Sequence, residues 1–105
     1  MVQIIKDMNE FNTFLKAAGQ KLVVVEFSAK WCDHCKKMYP IFHAMSRQYQ
    51  NVLFANVDVD DSWELAKTCH IKAIPTFQMF KKIKKIFEIC GADAKQLEAK
   101  IQELM

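Results

Sequence analysis

The segment Trp31-Cys32-Asp33-His34-Cys35 sets two thiols two residues apart, a spacing that suits a reversible intramolecular disulfide or one half of a tetrahedral zinc site. Zinc needs two further ligands. The remaining cysteines, Cys69 and Cys90, are distant in sequence, fall in separate expected elements and supply no second close-spaced pair. Neither His43 nor His70 completes a ligand pattern with the dithiol. Redox chemistry is therefore favoured, and no residue is assigned to a metal. Cys69 and Cys90 read as packing or inert thiols.

The place of the dithiol in the chain is what makes it reactive. Leu22 to Ala29 is a nearly continuous apolar run, the mark of a central strand covered on both faces, and Met38, Ile41, Phe42, Met45 and Tyr49 then recur at helical intervals. The pair straddles a strand-to-helix entry. There Cys32 meets unpaired backbone donors and the positive end of a helix, which favour its thiolate and make it the attacking sulfur. Cys35, one turn further in, is expected to be the more shielded thiol that resolves a mixed disulfide. Glu26 interrupts the apolar run. Burying it ionised is costly, which predicts a raised pKa and a position beneath the dithiol, where it exchanges a proton with Cys35 directly or through water. The alternative is that strand alternation turns it to a solvated pocket rim.

These residues need a frame, and the rest of the chain supplies one. Val2 to Ile5 reads as a strand, and Phe11, Phe14, Leu15 and Ala18 as the buried stripe of a helix with Asp7 and Glu10 as a capping box and Gly19 as its stop. Asn51 to Val59 alternates as a third strand. Asp61 and Glu64 are spaced to cap a short helix carrying Leu65, Ala66 and Cys69. Beyond Pro75, Thr76 to Phe80 and Ile86 to Cys90 form an expected antiparallel hairpin over a lysine-rich turn. Gly91 breaks the last strand, and Asp93 and Gln96 cap a final helix with Leu97, Ile101 and Leu104 inside. Pro40 lies within the long helix and is expected to kink it. The predicted class is α/β, order βαβαβαββα, a mixed central sheet flanked by helices in a single domain spanning residues 1–105.

The 105 residues are 51% hydrophobic and 26% charged with two glycines and two prolines, which suits one compact core rather than a disordered chain. A net charge of +3 is too mild for a nucleic-acid partner, and Lys81, Lys82, Lys84 and Lys85 read as a solvated turn. No apolar run reaches the roughly 20 residues of a membrane span, and no secretory signal is evident in the first residues. Nor is there a dinucleotide fingerprint.

The chain resembles the thioredoxin family, in particular its animal cytosolic and male-germ-cell members. The likeness covers residues 2–105 and runs through Lys21 to Val25, Phe27-Ser28-Ala29, Trp31-Cys32, Cys35-Lys36, Val57 to Asp60, Ile74-Pro75-Thr76-Phe77 and Gly91-Ala92. It implies the thioredoxin fold, with the active site at the carboxyl end of the second strand and a cis peptide before Pro75. It also implies that Cys32 is an exposed nucleophile, Cys35 the resolving thiol, Trp31 a lid, and Ile74, Pro75, Gly91 and Ala92 a groove for an extended substrate peptide.

The activity so implied is protein-disulfide reduction by a cytoplasmic monomer with no bound cofactor, acting on disulfide-containing proteins. Electrons would come from a separate NADPH-dependent thioredoxin reductase, and the male-germ-cell likeness implies a part in spermatogenesis. A redox-controlled binding module and a more oxidising, isomerase-like oxidoreductase are the alternatives. Three departures from the family pattern stand at or near the site. Asp33 and His34 replace a glycine and a proline, Glu26 replaces an aspartate, and Lys84 is expected to occupy a hairpin glycine position. Glu26, Asp33 and His34 are thus the proton-transfer or pKa-tuning residues, with Asp33 expected to pair with His34. Trp63 reads as core or helix-flank packing.

Overall fold

A computed structural model describes residues 1–105. In chain order the elements are β1 (Val2–Ile4), α1 (Met8–Ala17), β2 (Val23–Ser28), α2 (Asp33–Gln48), β3 (Leu53–Asp58), α3 (Trp63–Thr68), β4 (Thr76–Lys81), β5 (Lys84–Cys90) and α4 (Ala94–Leu104). This is the expected order, with strand ends moved by one to two residues. The strands form one sheet, β1-β3-β2-β4-β5, in which β1, β3 and β2 run parallel while β4 and β5 run antiparallel to their neighbours.

Strand β2 lies at the centre, and its alternation sorts the core into two layers. Val23, Val25 and Phe27 pack with Phe11 and Leu15 of α1 and Leu65 and Ala66 of α3. Val24 packs with Met38, Phe42 and Met45 of α2 and Leu97 and Ile101 of α4. Because side chains alternate, Glu26 and Ser28 continue the Val24 face and point to the α2 side. Tyr49 ties the two helices of that layer together, donating to Glu98 Oε2 at 2.6 Å and accepting from Gln102 Nε2 at 2.8 Å.

Local signals explain most element ends. Asp7 accepts from the Glu10 N–H at 2.8 Å while Glu10 Oε1 accepts from the Lys6 N–H, so the capping box reaches one residue further back than its usual form. Gly19 has φ 61° beyond the end of α1. Asp93 accepts from the Gln96 N–H at 3.0 Å and caps α4.

The cap expected at Asp61 and Glu64 is not formed. Ser62 is the N-cap of α3 and makes no side-chain capping bond. Asp58 instead accepts from the Asp60 and Asp61 N–H groups, which uses the acidic turn to brace the loop before the helix. The hairpin corrects a second expectation. Lys84 belongs to β5, and the left-handed positions of the turn are Lys82 (φ 52°) and Ile83 (φ 74°). A two-residue turn needs positive φ at its centre to match strand twist, so the strained side chain is Ile83.

Candidate active site

The loop from β2 to α2 places the dithiol as its position in the sequence implies. Cys32 is the N-cap of α2, and its Sγ accepts from the Cys35 N–H at 3.2 Å. The Cys32 and Cys35 sulfurs stand at bonding distance, with Cα atoms 5.2 Å apart. A donor and a helix N-terminus both act on Cys32 sulfur, and both favour its thiolate once the pair is reduced. The expected contrast in exposure is absent: Cys32 is 6% and Cys35 5% exposed, and both pack with Ala29.

Glu26 is 2% exposed, which removes the solvated-rim alternative. Burial pushes its pKa from 4.5 up to about 7, opposed by a hydrogen bond from Asn56. Asn56 Nδ2 donates to Glu26 Oε1 at 2.9 Å and to Ser28 Oγ at 2.8 Å, whereas Glu26 Oε2 has no partner. The parallel register sets Glu26 beside Asn56 and Ser28 beside Asp58. These four polar residues therefore form a block on the α2 face of the sheet, at the carboxyl ends of two strands.

Above the block is a cavity of about 390 Å³ lined by Glu26, Ser28, Asn56 and Asp58 from the sheet and by Cys35, Lys36, Tyr39 and His43 from α2. Both Glu26 and Cys35 line it. His43 is half-buried here against Tyr39, with ring centroids 4.0 Å apart, and burial lowers its pKa.

Of the expected groove and lid residues, Trp31 directly precedes the dithiol and Ile74 packs against it. Trp31 is 67% exposed, and its indole Nε1 donates to Asp60 Oδ2 at 2.8 Å. The Ile74–Pro75 peptide is cis, Pro75 is buried, and the Gly91 N–H donates to the Pro75 carbonyl at 2.8 Å. That bond brings Ile74, Pro75, Gly91 and Ala92 to one place from two segments. Gly91 has φ 102°, a conformation that suits glycine.

Asp33 and His34 are both exposed in the first turn of α2, but they do not pair as expected. The ionic neighbour of Asp33 is Lys36 Nζ at 4.0 Å, since residues three apart share a helix face and adjacent ones do not. Cys69 is half-buried and its thiol pKa is raised by burial. Trp63 is exposed, contrary to its reading as core or helix-flank packing, and Cys90 is exposed too, which removes packing from its reading as a packing or inert thiol. Asn56, Ser28, Asp58 and Asp60 were given no role in the site from the sequence. The period-two alternation of Phe54, Asn56 and Asp58 against Val24, Glu26 and Ser28 is the signal that could have found the first three.

A model of the thioredoxin family matches residues 2–103. The chain is 62% identical to thioredoxin domain-containing protein 8 of Homo sapiens over the full length of both. It is 50% identical to thioredoxin of Homo sapiens, again with both chains fully covered. Among solved structures, thioredoxin of Fasciola hepatica superposes with a TM-score of 0.97 at 28% identity, covering 99% of this chain and all of that one.

Proposed function

The chain belongs to the thioredoxin family of thiol-disulfide oxidoreductases, and we propose that it is a protein-disulfide reductase. The observation that carries this reading is Cys32 at the N-cap of α2, in bonding reach of Cys35, above a cavity that holds Glu26.

In the proposed cycle the Cys32 thiolate attacks one sulfur of a substrate disulfide, and the other substrate sulfur leaves as a thiolate that takes up a proton. Cys35 gives its proton to the ionised form of Glu26, directly or through water in the cavity, and attacks Cys32 Sγ. The Cys32–substrate bond breaks as the Cys32–Cys35 bond forms. The substrate gains two electrons and two protons, and the dithiol becomes a disulfide. Trp31 adjoins the dithiol and Ile74 packs against it, and the substrate is expected to lie there as an extended peptide.

NADPH is the expected ultimate electron source, through a separate thioredoxin reductase, with the protein acting as a cytoplasmic monomer. No helix is long and apolar enough to cross a membrane. A role in spermatogenesis belongs to the same reading and draws on the resemblance to male-germ-cell thioredoxins.

Insulin reduction with NADPH and thioredoxin reductase tests the activity. Turnover that vanishes in Cys32→Ser is expected, and turnover no greater than this control would overturn the proposal. A Cys35→Ser protein should stall as a mixed disulfide and reveal the substrates.

The exposed indole of Trp31 favours a second reading, a redox-controlled binding module. It requires partner affinity to differ between the reduced and oxidised dithiol. Equal affinities reject it.

A further inference from the structure

Asn56 has two amide protons, and both are committed. One goes to Glu26 Oε1 at 2.9 Å and the other to Ser28 Oγ at 2.8 Å. In this orientation Oε1 faces an N–H donor, an arrangement that suits the ionised carboxylate and also the neutral acid whose proton sits on the other oxygen. An acid proton placed on Oε1 would compete with that N–H. With the amide so oriented the proton belongs on Oε2, which has no protein partner.

We propose that Asn56 is a positioning residue for Glu26: its amide holds Oε1 as the acceptor and leaves the exchangeable proton on Oε2, free to pass to and from Cys35 across the cavity they share. Ser28 completes the device by accepting the second amide proton and fixing the rotation of Asn56. The inference rests on the proposed dithiol cycle, in which Glu26 serves Cys35.

The charged and titratable groups around the same cavity are Lys30 in the β2–α2 loop, Cys35, Lys36, Tyr39 and His43 on α2, and Asp58 on β3. Lys30 and Lys36 are exposed and reach water, and Asp58 is held by the Asp60 and Asp61 N–H groups. None of them is a hydrogen-bond partner of Glu26. Asn56 is the only side chain that touches the carboxylate through a polar contact, so the position of its proton depends on that amide.

The test is infrared difference titration of the intact protein, with the Glu26 band assigned by its loss in Glu26→Gln. In the parent, neutral Glu26 should show a carbonyl lowered in frequency by the Asn56 bond. In Asn56→Leu that band should rise to the range of an unbonded carbonyl, and the midpoint should move up by about one pH unit, since a donor to the charged form is lost. At pH 7 the ionised fraction then falls, and resolution of a preformed Cys32 mixed disulfide should slow by roughly fivefold. Ser28→Ala should move band and midpoint in the same directions by less. A folded Asn56→Leu protein with an unmoved band would overturn the proposal. If that variant does not fold, an unmoved band in Ser28→Ala would overturn it. The titration needs no reductase or substrate, so a failed insulin assay with a shifted band would reject the proposed function and keep the Asn56 assignment.

Discussion

The Trp31 indole donates a 2.8 Å hydrogen bond to Asp60 Oδ2, linking the loop that carries the dithiol to the acidic turn after β3. Asp60 is fixed in turn, because its own N–H donates to Asp58. The indole is thus held at an exposed position where a free side chain would lose rotamer entropy on meeting a substrate.

Asp60→Ala should release Trp31 and raise KM for insulin by about fivefold with little change in kcat, the equivalent of a hydrogen bond worth ~1 kcal/mol. Trp31 emission in a Trp63→Phe background reports the release directly. Unchanged emission and KM would show that packing alone holds the ring.

Glu26 makes stability depend on pH. Its folded pKa of about 7 stands above the unfolded value of 4.5, so the folded state keeps a proton that the unfolded state has lost between those limits. The burial penalty is absent below pH 4.5, grows as pH rises through 7, and is complete above it. The difference of about 2.5 pH units corresponds to roughly 3 kcal/mol as an order of magnitude. Glu26→Gln should therefore match the parent in urea denaturation near pH 4.5 and exceed it by up to that amount at pH 8. A constant difference across this window would mean that Glu26 is not the titrating group.

Asp33 and His34 should act on the dithiol separately, because Asp33 faces Lys36 rather than its neighbour. His34→Pro with Asp33→Gly is expected to lower the reduction potential by roughly 30 mV, about 1.4 kcal/mol for two electrons, as the stabilisation of the Cys32 thiolate by His34 is lost. Glutathione equilibration of the double and both single variants measures each contribution. With no ion pair between the residues, the two single shifts should add. A double variant with an unchanged or higher potential would assign the control to Asp33 or to the geometry of the helix entry.

Ile83 is 54% exposed with φ 74°, so it bears left-handed strain with little burial in return. Ile83→Gly should stabilise the protein by about 1 kcal/mol, while Lys84→Gly, within β5, should destabilise it by about 0.5–1 kcal/mol. Urea midpoints of the two variants decide between these positions.

Local patterns carried the element order, the caps at Asp7 and Asp93, the stop at Gly19 and the dithiol at a helix entry, because each depends on residues within one or two turns of each other. The burial of Glu26 was legible for a related reason: a carboxylate inside a continuous apolar strand has few places to go. The cis peptide before Pro75 and its meeting with Gly91 came from family resemblance rather than from the residues themselves, since an isolated proline fits an ordinary trans strand entry equally well. Tertiary structure alone decided the rest. Which oxygen of Glu26 is held depends on the register of β2 against β3, which brings Asn56 beside it from 30 residues away. The bond from Trp31 to Asp60 joins two loops that share no local pattern. Polar side chains without periodicity show their purpose only when strand pairing and helix packing bring their partners within hydrogen-bond reach.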